Sequence, residues 1–118
     1  MNNNDLLLRI YKMPAQQACL QLRAQRQCCK ITGLVNVLPF AGDLKLLANA
    51  IDSGAAQECV LSLCTASGAK HELRISFRPD VLALELVFAG KSRFSVQLTG
   101  RAFVASVEAM LAKLPAFF

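Results

Sequence analysis

The sequence has no tryptophan, one tyrosine (Tyr11) and one histidine (His71) in 118 residues. A lone histidine leaves little room for histidine-built metal or acid–base chemistry. Cysteine is present without a pattern. Cys19, Cys28, Cys29, Cys59 and Cys64 make an odd number with no CxxC spacing. Zinc asks for four Cys/His ligands in paired spacing, and adjacent Cys28 and Cys29 would point to opposite faces of a strand. Reduced, mostly buried thiols are therefore the expectation, with no metal and no cofactor. No apolar run approaches the roughly 18–20 residues of a membrane span. The start, Met1-Asn2-Asn3-Asn4-Asp5, lacks a basic n-region, and Leu6–Leu8 is far shorter than a signal-peptide core. A cytoplasmic protein with no membrane partner is expected.

Catalytic motifs are also missing. Gly90-Lys91-Ser92 resembles the end of a Walker A loop, but the glycine required five residues earlier is Glu85. The segment also joins two strands, so no helix N-terminus faces a phosphate. His71 with Glu72, Cys64 or Asp80 would need hydrogen-bond reach and an orienting third group, which no spacing here enforces. Asp43 and Asp52 lie nine residues apart on one helix, roughly on opposite sides. No catalytic residue is assigned, and a non-enzymatic protein is expected.

What the chain does have is alternation. Apolar residues make up 54% and charged residues 18%, which suits one folded domain over residues 1–118. From Glu58 to Leu114 four alternating runs, each closed by a turn signal, lead into one amphipathic helix. In Glu72–Arg78 the apolar set is Leu73, Ile75 and Phe77; in Val81–Ala89 it is Leu82, Leu84, Leu86 and Phe88. A tight turn at Pro79-Asp80 then sets Phe77 opposite Leu82, Ile75 opposite Leu84 and Leu73 opposite Leu86. The same register sets Arg74 against Glu85 on the other face, so both faces agree. A Gly90-Lys91-Ser92 loop would bring Phe94, Val96 and Leu98 against Phe88, Leu86 and Leu84. A Ser67-Gly68-Ala69 loop would bring Leu63 against Leu73 and Leu61 against Ile75. The apolar face so formed needs a cover. Phe103, Val104, Val107, Met110, Leu111 and Leu114 recur at helical spacing after Thr99, a suitable N-cap, and Pro115 stops the run.

Earlier in the chain, Leu6, Leu8 and Ile10 alternate with Leu7, Arg9 and Tyr11, which predicts a first strand before Met13-Pro14. Ala18–Arg26 reads as a strand with Leu20, Leu22 and Ala24 on one face; its Ala/Gln/Leu/Arg content leaves a helix from Pro14 as the alternative. Cys29–Leu38 reads as a strand with Ile31, Val35 and Val37 on one face and a bulge at Gly33. After Pro39-Phe40-Ala41-Gly42 a helix follows, with Asp43 near its start, Leu44, Leu47, Ala48 and Ile51 buried and Gly54 beyond its end. The fold class is α+β: an antiparallel meander of six to seven strands, packed on one face by two helices, in the order β-β-β-α-β-β-β-β-α.

Function is sought on the face of the meander turned away from the helices. It carries Val60, Ser62, Cys64, Arg74, Ser76, Arg78, Ala83, Glu85, Val87, Arg93, Ser95 and Gln97, a mixture of small, apolar and basic side chains. No aromatic is expected to point out from it, which weighs against a base-stacking platform. It suits a protein–protein surface, with Arg74, Arg78, Glu85, Val87, Arg93 and Gln97 as candidate contacts. Phe117 and Phe118, an apolar end, join them. The expected function is a small binding, adaptor, immunity-like or regulatory protein, homodimeric. The net charge of +5 and the group Lys70, Arg74, Arg78, Lys91, Arg93 and Arg101 give nucleic acid, or another acidic partner, as the alternative. A second alternative is a carrier or enzyme with an apolar pocket between sheet and helices.

Overall fold

Side-chain parity decides this fold, and the hairpin at residues 70–88 shows how. The computed structural model describes residues 5–55, 57–79 and 81–114. In it β5 (Lys70–Arg78) pairs with β6 (Val81–Phe88) in the register expected: Phe77 with Leu82, Ile75 with Leu84, Leu73 with Leu86, and Arg74 with Glu85 across the other face. Ile75 and Leu84 are each only 1% exposed. β4 (Gln57–Cys64) and β7 (Lys91–Leu98) complete a sheet of order β4-β5-β6-β7.

Two loops differ from expectation, each moving its pairing by two residues. Cys64 pairs with Lys70, so the connection is five residues rather than three, and Leu61 faces Leu73 while Leu63 faces His71. Thr65 holds this longer loop together: its amide and its hydroxyl both donate to the Ala69 carbonyl, at 3.0 Å each. At the other hairpin Phe88 pairs with Lys91, so only Ala89 and Gly90 form the turn, both at positive φ (53° and 77°). That is the backbone of a two-residue hairpin turn whose twist matches the strands. A bulge at Arg93 absorbs the difference, because Val87 pairs with Ser92 while Leu86 pairs with Phe94. A shift of two preserves parity, so every leucine keeps its face.

The N-terminal strands form a second antiparallel sheet: β1 (Leu7–Met13), β2 (Gln17–Ala24) and β3 (Gln27–Leu34), in that order. Residues 17–24 are thus strand and not helix. Ala18, Leu20, Leu22 and Ala24 are buried on one face. Gly33, at φ 71°, sits where β3 carries one residue more than β2, between the Leu20–Ile31 and Ala18–Leu34 pairs.

Residues 35–38 correct the expected strand. β3 ends at Leu34 and α1 (Val37–Asp52) begins at Val37, inside the stretch read as extended. Pro39 falls in the first helical turn, where a missing N–H costs no hydrogen bond. Val37 is buried as a helical residue and Val35 is exposed. α1 ends as expected, with Gly54 at φ 86° donating to the Ile51 carbonyl. α2 (Gly100–Ala112) starts at Thr99, whose hydroxyl accepts from the Ala102 amide at 3.1 Å.

Both helices lie on the side to which the buried leucines point, α1 against α2 and β4, α2 against β1 and β6. One continuous apolar cluster joins the two sheets and both helices. The sheets are stitched at two places. Leu34 bridges Thr65, and the Asn36 side chain donates to the Ser62 carbonyl (2.8 Å) and accepts from the Cys64 amide (3.0 Å). At the opposite edge Gln27 holds Ser95 at both backbone groups, donating to its carbonyl at 2.6 Å and accepting from its amide at 3.0 Å.

Candidate interaction surfaces

The outward face of β4–β7 follows from the register. Its rows run Glu58–Ser76–Ala83–Gln97, then Val60–Arg74–Glu85–Ser95, then Ser62–Glu72–Val87. Arg74, Arg78, Ser95 and Gln97 are exposed and Glu85 is half-buried, where they were expected. Val87 is buried at 7% exposure, so it contributes little contact area. Arg74 forms its ion pair with Glu72 on its own strand, at 3.3 Å, rather than with Glu85 opposite. Both partners are largely exposed, so the pair adds little stability.

Arg93 leaves this face. The bulge places its guanidinium 5.7 Å from the centre of the Phe88 ring, on the helix side of the sheet. Glu58 and Glu72 share the outward rows with Glu85, so Lys70, Arg74 and Arg78 are matched there by three acids. The surface is mixed and balanced, not basic. Phe117, Phe118 and Asp80 lie outside the described residues.

Among the described residues the titratable groups do not converge. His71 stacks on Phe88, ring centres 4.5 Å apart, and its buried Nδ1 has no hydrogen-bond partner among the described residues. Burial, and then the charge of Arg93, lowers its pKa below the ordinary histidine value. Cys64 sits one residue off His71 in the register and points to the other face, so the two cannot act as nucleophile and base. Burial raises the thiols of Cys19, Cys29 and Cys59, which keeps them protonated and weakly nucleophilic. Among the described residues no three His, Cys, Asp or Glu side chains gather to hold a metal ion, and no helix is long and apolar enough to cross a membrane.

The backbone offers a sharper feature. Cys64 and Ser62 direct their polar groups away from β5, toward Val35 and Asn36. By alternation, Glu58 and Val60 point their N–H and C=O groups off the same edge. Asn36 covers the edge at residues 62–64 and stops there. The open part carries Val60, 55% exposed. α1 runs alongside in the opposite direction, with Asn36 at Ser62 and Asp43 close enough to Cys59 to raise its thiol further. Leu46, on the solvent side of α1, is 70% exposed. Val35, Leu38, Leu46 and Val60, all exposed, thus come from one continuous stretch of chain.

Open clefts border α2. One of about 500 Å³ lies between Ile51 and Asp52 of α1 and the start of α2. Another of about 580 Å³ is bounded by Leu6, the Gln25–Arg26 turn and Ala102, Ala105 and Ser106 of α2. Compared with known proteins, the chain matches no protein-family model, no curated protein and no solved structure.

Proposed function

We propose that the protein is a non-catalytic binding module that self-associates through the β4 edge. The observation that carries this reading is the stretch at Glu58 and Val60, unpaired among the described residues, beside a helix with exposed leucines. An open edge is a template for another strand, and a second copy of the same edge is complementary to it by symmetry. Antiparallel pairing about Cys59 sets Glu58 of each copy opposite Val60 of the other and satisfies both residues' backbone groups. The outward face of β4–β7 would then continue across the two-fold axis as one eight-stranded surface, on which Arg74, Arg78, Glu85 and Gln97 are available to a further protein partner.

Light scattering over a concentration series tests the reading with Val60→Pro. The Val60 N–H points off the edge, so proline removes an intermolecular donor and leaves the β4–β5 ladder intact. The expected result is a dimeric wild type and a folded, monomeric variant. A wild type that stays monomeric at its highest soluble concentration overturns the proposal.

A further inference from the structure

Charge is unevenly distributed along the chain. Between Asp5 and Asp43 there are five basic residues, Arg9, Lys12, Arg23, Arg26 and Lys30, and no acid. The remaining eight basic residues balance the eight acids, so the whole net charge of +5 belongs to the segment that forms β1–β3. The register then concentrates it. Arg9, Gln21 and Lys30 form one row across the three strands, and Leu7, Arg23 and Cys28 the next. Since Leu20 and Leu22 point into the core, these side chains point away from it. Arg9, Arg23 and Lys30 are all exposed.

The same face holds the chain's one tyrosine. Tyr11 is paired with Cys19, yet its hydroxyl donates to Gln21 Oε1, one row away, at 3.0 Å and accepts from Arg9 Nη1 at 3.2 Å. Gln21 in turn donates to Cys28 Sγ at 3.7 Å. A hydroxyl tied down in this way lays the ring along the sheet instead of letting it stand up, and the residue remains 42% exposed. Lys30 lies in the row of Gln21, the residue that holds the Tyr11 hydroxyl.

We infer that the outward face of β1–β3 binds single-stranded nucleic acid. Phosphates are held by Arg9, Arg23 and Lys30, and one base stacks on Tyr11. Five basic residues against a single acid, Asp5, which lies beside Arg23 and Arg26 at the end of the face, supply sequence-independent attraction, and a flat aromatic supplies the stacking surface that an acidic peptide would not use. This site is on the other sheet from β4 and does not depend on self-association.

Fluorescence anisotropy with a labelled 12-nucleotide oligothymidylate tests it, with circular dichroism confirming each fold. Binding should weaken with salt at a log–log slope of about −2, as expected for three phosphate contacts on a single strand. Tyr11→Ala should weaken binding roughly 5- to 150-fold, the range for loss of one stacked base. Arg9→Glu with Lys30→Glu should abolish it. Arg74→Glu with Arg78→Glu, the same charge change on the other sheet, should leave it unaltered. Equal binding by Tyr11→Ala, equal loss from both charge reversals, or competition by polyglutamate as effective as by unlabelled oligonucleotide would each overturn the assignment.

Discussion

Replacing Gln27 by glutamate tests whether the two sheets are held together by the contact at Ser95. The glutamine amide donates to the Ser95 carbonyl and accepts from the Ser95 amide. Two neutral hydrogen bonds contribute about 1–3 kcal/mol net, and because Ser95 is exposed, water can replace part of this in Gln27→Ala. An expected loss of roughly 1–2 kcal/mol follows for the alanine variant. Glutamate keeps the bond from the Ser95 amide and strengthens it, but places a second carboxylate oxygen where the donor stood, 2.6 Å from a carbonyl. At neutral pH the acceptor–acceptor contact should cost as much as the deletion, about 1–2 kcal/mol. With an unfolding entropy near 2.1 cal/mol/K per residue, that is a fall of about 4–8 °C in Tm for a chain of this length. The pH dependence separates the two variants. The carbonyl disfavours the charged carboxylate, so the folded pKa of the new glutamate lies above its unfolded value of about 4.3. Its stabilising, protonated form, able to donate, is fully present below that value and is lost as pH rises through the folded pKa. Differential scanning fluorimetry from acid to neutral pH should show the glutamate deficit closing toward acid and the alanine deficit staying constant. A glutamate variant that matches wild type at neutral pH, or a deficit that does not change with pH, refutes the contact.

His71 has a pKa lowered in the fold, so the unfolded chain binds its proton first, and this residue's contribution to stability falls as pH drops through the ordinary histidine value of about 6.5. His71→Phe, which keeps a ring against Phe88, should show a smaller loss of Tm between neutral pH and pH ~5.5 than wild type; parallel curves would refute the assignment. At Gly100 an added Cβ would lie 2.6 Å from Phe77 Cε1 and 3.0 Å from Ile51 Cγ2. Gly100→Ala should destabilise by about 1–3 kcal/mol in urea unfolding, against the usual gain from alanine in a helix.

Parity was legible along the whole meander and register only across the Pro79 turn, for one physical reason. Alternation says which face a side chain takes, and Leu73, Ile75, Phe77, Leu82, Leu84 and Leu86 all conform. Pro79 between two long alternating runs also fixed the pairing across its own turn. At the other two hairpins several small polar residues competed for the turn, and shifts of two leave the apolar pattern equally satisfied. Local backbone choices decided those cases: positive φ at Ala89 and Gly90, and the Thr65–Ala69 closure. Val35 and Val37 misled because two β-branched residues with period two look extended, while Asn36 between them is taken up by β4. The basic group Lys70, Arg74, Arg78, Lys91, Arg93 and Arg101 does not gather on one face, because Arg93 turns toward Phe88 and Glu58, Glu72 and Glu85 share the outward rows. The acid-free stretch before Asp43 is visible in the letters, but its meaning depends on a sheet that gathers Arg9, Arg23 and Lys30 onto one side.

Edges connect these observations, since each sheet has two and each uncovered backbone group invites a partner. Gln25 and Gln27 cover β7 at the Gln97 carbonyl and at Ser95, and Ser106 donates to the Leu6 carbonyl where β1 begins. Asn36, together with the Val35 amide on the Cys64 carbonyl, limits the opening on β4 to Glu58 and Val60. Asn36→Ala should therefore do more than lose about 1–3 kcal/mol of stability. It uncovers the Ser62 carbonyl and the Cys64 amide and doubles the number of residues with free edge groups, so association should become less selective. Light scattering during a temperature ramp should show the variant forming large species well below its unfolding midpoint, whereas the wild type stops at a closed dimer. Adding Val60→Pro should suppress both. If Asn36→Ala loses stability but associates no more than wild type, the β4 edge is not the surface through which copies meet.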